Sequence, residues 1–229
     1  MFLADRPLEG IEIGEAFTRA LARLPLFPLP NVVLLPNTFL PLHIFEPRYR
    51  KLTRDVLDGD KLMAIALARG EEHEFDGPPP VAPVVGVGEI VLAQALPDGR
   101  YNIVLRGLAR VRIDRELPSD EPYRLVQATA LPDDPPASLV DLLDAEASLR
   151  VLTGSLAEAL PEGGELLKQV VAAQGTPAAL VDVVASTLIA DPRVRQELLE
   201  TTDVARRIAR VSSEVAGMTA RLTEPSSLN

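Results

Sequence analysis

The chain has 229 residues and a net charge of −10, with 47% hydrophobic and 24% charged residues. That composition is globular, and the absence of cysteine excludes disulfides, zinc–thiolate sites, iron–sulfur clusters and cysteine nucleophiles. Two histidines are too few for a three-histidine metal site within one chain, and no apolar run approaches the ~18 residues of a membrane span.

The acidic charge is uneven. Residues 1–124 carry 18 acids against 15 bases, and residues 125–229 carry 15 against 8. Neither half offers the cationic footprint that nucleic acid requires, and the same field repels anionic lipid. The expected protein is cytoplasmic, binds neither nucleic acid nor membrane, and needs no cofactor. The opening, MFLADRPLEG, has no basic start or apolar run of a secretion signal.

Residues 1–22 form an N-terminal extension in this reading. The stretch 23–134 then reads as short strands. LPLFPL (24–29) and TFLPLHIF (38–45) are extended, because their prolines forbid helix. Glu46-Pro47 starts a helix, with Tyr49, Leu52, Val56 and Leu57 at helical spacing and Gly59 at its end. LMAIALA (62–68) and VGVGEIVLAQAL (85–96) are further strands. PDGR (97–100) is a tight turn into YNIVLRG (101–107), followed by LARVRIDREL (108–117) and YRLVQATAL (123–131). Many short strands with one half-polar face predict a small barrel.

LPDDPPAS (131–138) reads as a linker, and 135–229 as a helical bundle. Ser138, Thr176 and Asp191 are N-caps, the last two followed by Pro. Leu139, Leu142, Leu149 and Leu152 belong to one helix, and Leu166, Leu167, Val170 and Val171 make a short apolar stripe. Val204, Ile208, Val211, Val215, Met218 and Leu222 step by 4 and 3, the seam of a bundle or of a homodimer, and Pro225 stops that helix.

At residues 24–58 the run LPLFPLPNVVLLPNTFLPLHIFEPRYRKLTRDVL resembles the opening of the Lon protease N-terminal domain, in the variant of free-standing bacterial Lon-domain proteins. VGVGEIVLAQALPDGRYNIVLRGLARVRI (85–113) and LIADPRVRQELLETTDVARRIARV (188–211) resemble later family segments. The resemblance covers about residues 23–222. It implies an α+β fold, a PUA-like β-barrel followed by a helical bundle. It also implies a role in recognising polypeptide, since in Lon this region helps capture substrates and assemble the hexamer.

A full Lon adds an ATPase and a serine–lysine peptidase. The phosphate-binding loop needs Gly-Lys-[Ser/Thr], and the lysines here precede Leu52, Leu62 and Gln169. No G-x-S-x-G elbow accompanies a serine. The expectation is a non-catalytic module that acts as an adaptor or regulator of a separate protease or on its own.

The residues nominated for peptide binding are Phe39, His43, Phe45, Arg48, Tyr49 and Arg50. Phe39, Phe45 and Tyr49 would wall a groove between barrel and helices. His43 alternates with Leu42 and Ile44, so it faces away from them, either as a structural hydrogen-bonding group or as part of the groove. Glu46, Arg48 and Arg50 order the strand-to-helix corner or meet a peptide's backbone. The prolines at 25, 28, 30, 36 and 41 leave backbone groups unpaired near Phe27, Phe39 and Phe45, to which an extended chain could add, or they protect the edge from aggregation. EEHEFD (71–76) gathers carboxylates around His73, a loop rather than a metal site in this reading.

Overall fold

A computed structural model of the chain describes residues 14–70 and 79–223. EEHEFD and Pro225 lie outside the described residues. Six strands form one sheet: β1 (Leu24–Leu29), β2 (Phe39–Ile44), β3 (Leu62–Leu67), β4 (Val84–Ala95), β5 (Tyr101–Leu117) and β6 (Arg124–Ala130). Their order is β2-β5-β4-β3-β1-β6, and a further β5–β6 pairing closes five of them on themselves. β2 pairs with β5 alone and is an edge. The helices are α1 (Glu15–Ala20), α2 (Pro47–Asp58), α3 (Leu139–Ala159), α4 (Gly164–Ala172), α5 (Pro177–Leu188), α6 (Pro192–Glu200) and α7 (Val204–Thr223). This is the expected α+β class: a small closed sheet, then helices.

Two compact units emerge. The first reaches to Pro132 and takes back Asp191–Glu200; the second holds Asp133–Ala190 and the chain from Thr201. Although α6 stands among the helices in sequence, it groups with the strands. Its buried Gln196 donates from Nε2 to the Val84 carbonyl at 2.9 Å.

The strand pattern of the first unit follows from alternation. One side of the closed sheet carries Leu24, Leu26, Ala64, Ala66, Val85, Val87, Val111 and Val126. The opposite side carries Phe27, Met63, Ile65, Ile90, Ile103, Leu105 and Leu125, with Tyr49, Leu52 and Val56 of α2 in the same core. Residues 30–38 cross this second side. Leu34 and Leu35 there are buried, and a Cβ on Gly86 would lie 1.9 Å from the Leu34 carbonyl oxygen. A Cβ on Gly107 would lie 2.1 Å from the Leu35 carbonyl oxygen. These glycines are where the loop's backbone touches the sheet. This explains one difference from the sequence reading. Gly107 looks like a break between two strands, yet β5 runs through it for 17 residues, with Gly88 opposite.

The caps form as expected. Ser138 Oγ accepts from the Asp141 N–H (3.2 Å), and Thr176 Oγ1 from the Ala179 N–H (3.1 Å). Asp191 accepts from the Arg193 N–H at 2.8 Å. In the second unit Leu142, Leu149, Leu156, Leu167, Val171, Leu180, Val184, Ile208, Val211 and Val215 are buried. Leu139 and Leu166 lie on the exposed sides of their helices, outside that core. Ile208, Val211 and Val215 are covered within their own chain, leaving Leu222 exposed at the end of the seam.

The presumed linker is partly anchored. Asp134 receives hydrogen bonds from the Thr202 hydroxyl (2.6 Å), and its own N–H donates to the Thr202 carbonyl (3.1 Å). Asp133 accepts from Arg207 at 2.7 Å. Arg207 is 0% exposed and also lies 3.4 Å from the buried Asp182. Burial opposes its charge, but Asp182 and Asp133 outweigh that and hold its pKa above the ordinary arginine value.

Candidate functional site: an open sheet face and a cleft

The six nominated residues separate into three places, all within the first unit. Phe39, His43 and Phe45 face outward. Leu40 and Leu42, half buried, and Ile44, buried, face the core. The register aligns β2 with β5 and β4 in three rows: Phe39–Arg106–Glu89, Pro41–Val104–Leu92 and His43–Asn102–Gln94. Paired residues share a face, so these rows form one outer surface of three strands.

Each row has its own chemistry. Arg106 and Glu89 form an ion pair at 2.6 Å. Asn102 Oδ1 faces His43 Nδ1 at 2.7 Å, and Asn102 Nδ2 donates to Gln94 Oε1 at 3.3 Å. The amide oxygen only accepts, so His43 carries its proton on Nδ1, and Nε2 accepts from Arg100 at 3.2 Å. His43 is therefore a hydrogen-bonded member of the surface. The middle row is apolar. Leu92 is 56% exposed, Phe39 54% and Phe45 61%, and a bulge between Ile90 and Leu92 also exposes Val91. Phe45 stacks beside His43, ring centroids 6.3 Å apart.

The edge of β2 has a defined phase. The Gly107 N–H donates to the Thr38 carbonyl at 2.8 Å. Given the Phe39–Arg106 alignment, Leu40, Leu42 and Ile44 bond to β5, and the backbone groups of Phe39, Pro41 and His43 point away from it. Pro41 sits where its missing N–H removes no bond within the sheet.

Arg48 and Tyr49 lie elsewhere. With Leu29, Glu46, Glu116, Tyr123 and Arg124 they line a cleft of about 1080 Å³ where β1 ends, α2 begins and β5 passes to β6. Tyr49 is buried against Phe27, centroids 4.1 Å apart, so it does not join Phe39 and Phe45 in one wall. Arg48 covers the Tyr49 ring at 4.6 Å and pairs with Glu46 at 3.0 Å. Arg124 pairs with Glu116 and donates to the Pro79 carbonyl at 2.9 Å. Arg50 lies against the β4–β5 turn; its guanidinium occupies the space beside Gly99, whose φ is +81°.

Beneath the cleft is a network that the sequence reading missed. Lys51 pairs with Asp55 and Glu121, each at 2.6 Å, and the Tyr123 hydroxyl donates to Asp55 at 2.7 Å. Burial pushes the Asp55 carboxyl up, but the hydrogen bonds from Lys51 and Tyr123 outweigh it and leave it below its ordinary value. The contribution of Asp55 is thus present at neutral pH and is lost as pH falls through that depressed value. Tyr123→Phe is expected to destabilise the first unit by ~1–2 kcal/mol at neutral pH, and the deficit shrinks as pH falls through the depressed Asp55 value, where the wild type loses the same contribution. Urea unfolding at neutral pH and near about pH 3 measures both; an unchanged midpoint at neutral pH would show the bond contributes nothing. Among the described residues no group of acids and histidines could hold a metal ion, and no helix is long and apolar enough to cross a membrane.

Residues 23–216 match the family model described as "ATP-dependent protease La (LON) substrate-binding domain". A Lon protease of Trichlorobacter lovleyi is 30% identical over 207 residues, covering 89% of this chain and 25% of that protein. Lon protease 2 of Myxococcus xanthus is 27% identical over 185 residues, covering 81% and 22%. The chain thus spans about a quarter of the length of these relatives. Among solved structures, the N-terminal domain of the Mycobacterium avium complex Lon protease superposes with a TM-score of 0.66 at 18% identity, covering 86% of this chain and 98% of that one. A Lon N-terminal domain protein from Xanthomonas campestris gives 0.58 at 25% identity, covering 83% and 97%. With the family model matched across most of its length, this chain belongs to the Lon substrate-binding domain family.

Proposed function

We propose that the chain binds extended, apolar polypeptide on the outer face and free edge of β2, β5 and β4. The observation that carries this reading is the placement of exposed Phe39 on β2 and Leu92 on β4, with exposed Phe45 just past the end of β2, beside an edge with outward-pointing backbone groups. An incoming strand bonds to the Phe39 and His43 backbones and lays alternate side chains over the apolar row. Fully burying a large apolar side chain contributes roughly 1.5–3 kcal/mol. Three such contacts supply roughly 4.5–9 kcal/mol before the cost of association, so even with the backbone bonds the affinity is micromolar at best, about 8 kcal/mol.

Membership of a substrate-binding domain family supports the reading. In it the chain cleaves nothing and hydrolyses no nucleotide, and it holds polypeptide for a separate protease in the cytoplasm. A homodimer through α7 is the weaker alternative, because Ile208, Val211 and Val215 are already buried within the chain.

Fluorescence anisotropy with a labelled, permanently unfolded protein tests the proposal. Phe39→Ser with Leu92→Ser is expected to weaken binding at least about tenfold, or ~1.4 kcal/mol. Both side chains are exposed, so the fold is retained. Equal affinity in the variant would remove the sheet face from the account.

A further inference from the structure

A second surface lies on α3 and is independent of the sheet face. The helix buries Leu142, Leu149 and Leu156 on one side. On the opposite side Leu139, Val140, Leu143, Ala147 and Val151 are all exposed, Val140 by 67% and Val151 by 70%. At 100° per residue these five fall within an arc of about 120°, and Leu139 to Val151 spans about 18 Å. A helix that is apolar on both sides has a second face to cover.

Gly154 lies on the same arc. Nothing is within 4 Å of the Cβ it lacks, so the packing of this chain makes no demand for glycine there. In a helix interior that glycine is unfavourable by about 1 kcal/mol relative to alanine. It leaves a notch beside Val151 into which a partner's side chain fits.

The surrounding charge selects the partner. Asp141, Asp144 and Glu158 are exposed along the stripe. Among the described residues no cation forms an ion pair with Asp141 or Asp144, and Glu158 meets Lys168 at 3.9 Å. Arg150, the one base within α3, is committed: to Glu146 at 2.7 Å and to the Val171 and Gln174 carbonyls at 2.8 and 2.7 Å. A second copy of α3 would set aspartate and glutamate against their like in either orientation. Anionic lipid is repelled in the same way.

We propose that the outer face of α3 docks a cationic amphipathic helix of a partner protein. Its apolar stripe covers Leu139, Leu143, Ala147 and Val151, and its lysines or arginines meet Asp141, Asp144 and Glu158.

The test titrates the full chain with a synthetic leucine–lysine helical peptide and with a leucine–glutamate peptide of the same apolar pattern. The lysine peptide is expected to bind at least about tenfold tighter, and to weaken as salt rises from about 50 to 300 mM. Leu143→Ser with Val151→Ser is expected to weaken it about tenfold again, with the helical circular dichroism unchanged. The same double variant leaves the binding of unfolded polypeptide intact, whereas Phe39→Ser lowers that binding and spares the helical peptide. Equal binding of the two peptides would overturn the charge argument. Indifference to Leu143 and Val151 would overturn the site. A chain dimer abolished by Val151→Ser would make a second copy the occupant and overturn the proposal.

Discussion

Replacing Arg207 with alanine is expected to destabilise the second unit by about 3–5 kcal/mol. The side chain is wholly buried, and its guanidinium lies 3.4 Å from Asp182 and 2.7 Å from Asp133. It also donates to the Thr201 carbonyl at 2.9 Å. Alanine removes the cation and leaves Asp182, itself almost fully buried, beside a cavity. A single buried charge without a partner is far more costly than the pair. The double variant Arg207→Met with Asp182→Leu removes both charges at similar volume. It is expected to recover most of the loss, because no fully buried ion then remains, Asp133 being 34% exposed. Guanidinium unfolding of the three proteins measures this. A loss under about 1 kcal/mol in Arg207→Ala would mean that the network does not hold the unit together.

The second large effect concerns Gly86. An alanine Cβ would lie 1.9 Å from the Leu34 carbonyl oxygen and 2.9 Å from its carbon. Those are backbone atoms of a buried loop and cannot rotate away, so the loop must lift from the sheet. The expected loss exceeds about 3 kcal/mol, above the usual range for overpacking. Gly88 supplies the contrast. There the nearest atom is the Leu34 Cδ2 at 2.7 Å, the end of a side chain that can change rotamer. Gly88→Ala is expected to cost less than half as much. Equal losses at the two positions would contradict the placement of residues 30–38 across β4.

Much of the fold was legible because local chemistry decided it. Pro47 and Gly59 bracket α2, and Ser138 and Thr176 cap α3 and α5, all through interactions within a few residues. Gly107 was misread because turn punctuation and close backbone approach use the same residue, and only the Leu35 loop distinguishes them. Alternation along β2 set His43 opposite Leu42 and Ile44, and Phe39 and Phe45 fall on the same outward side as His43. Tyr49 was not placed, because a helix turns it under Arg48 and onto Phe27. Leu92 was overlooked for a different reason. Its membership of the face depends on register across three strands and on the bulge at Val91, and neither is encoded in its own neighbourhood. The Lys51–Asp55–Tyr123–Glu121 network joins residues 68 positions apart, so no local pattern reveals it. Leu139 shares α3 with the buried Leu142 and Leu149 yet is exposed, because α3 is apolar on both sides and periodicity alone does not say which side is buried.

Backbone hydrogen exchange, followed in the intact chain with and without saturating unfolded polypeptide, tests the polypeptide-binding account most directly. The account predicts slowed exchange at the Phe39 and His43 amides, the two outward N–H groups of β2, with little change on α5 and α7. Unchanged exchange along β2 at saturation, or protection confined to other elements, would contradict it.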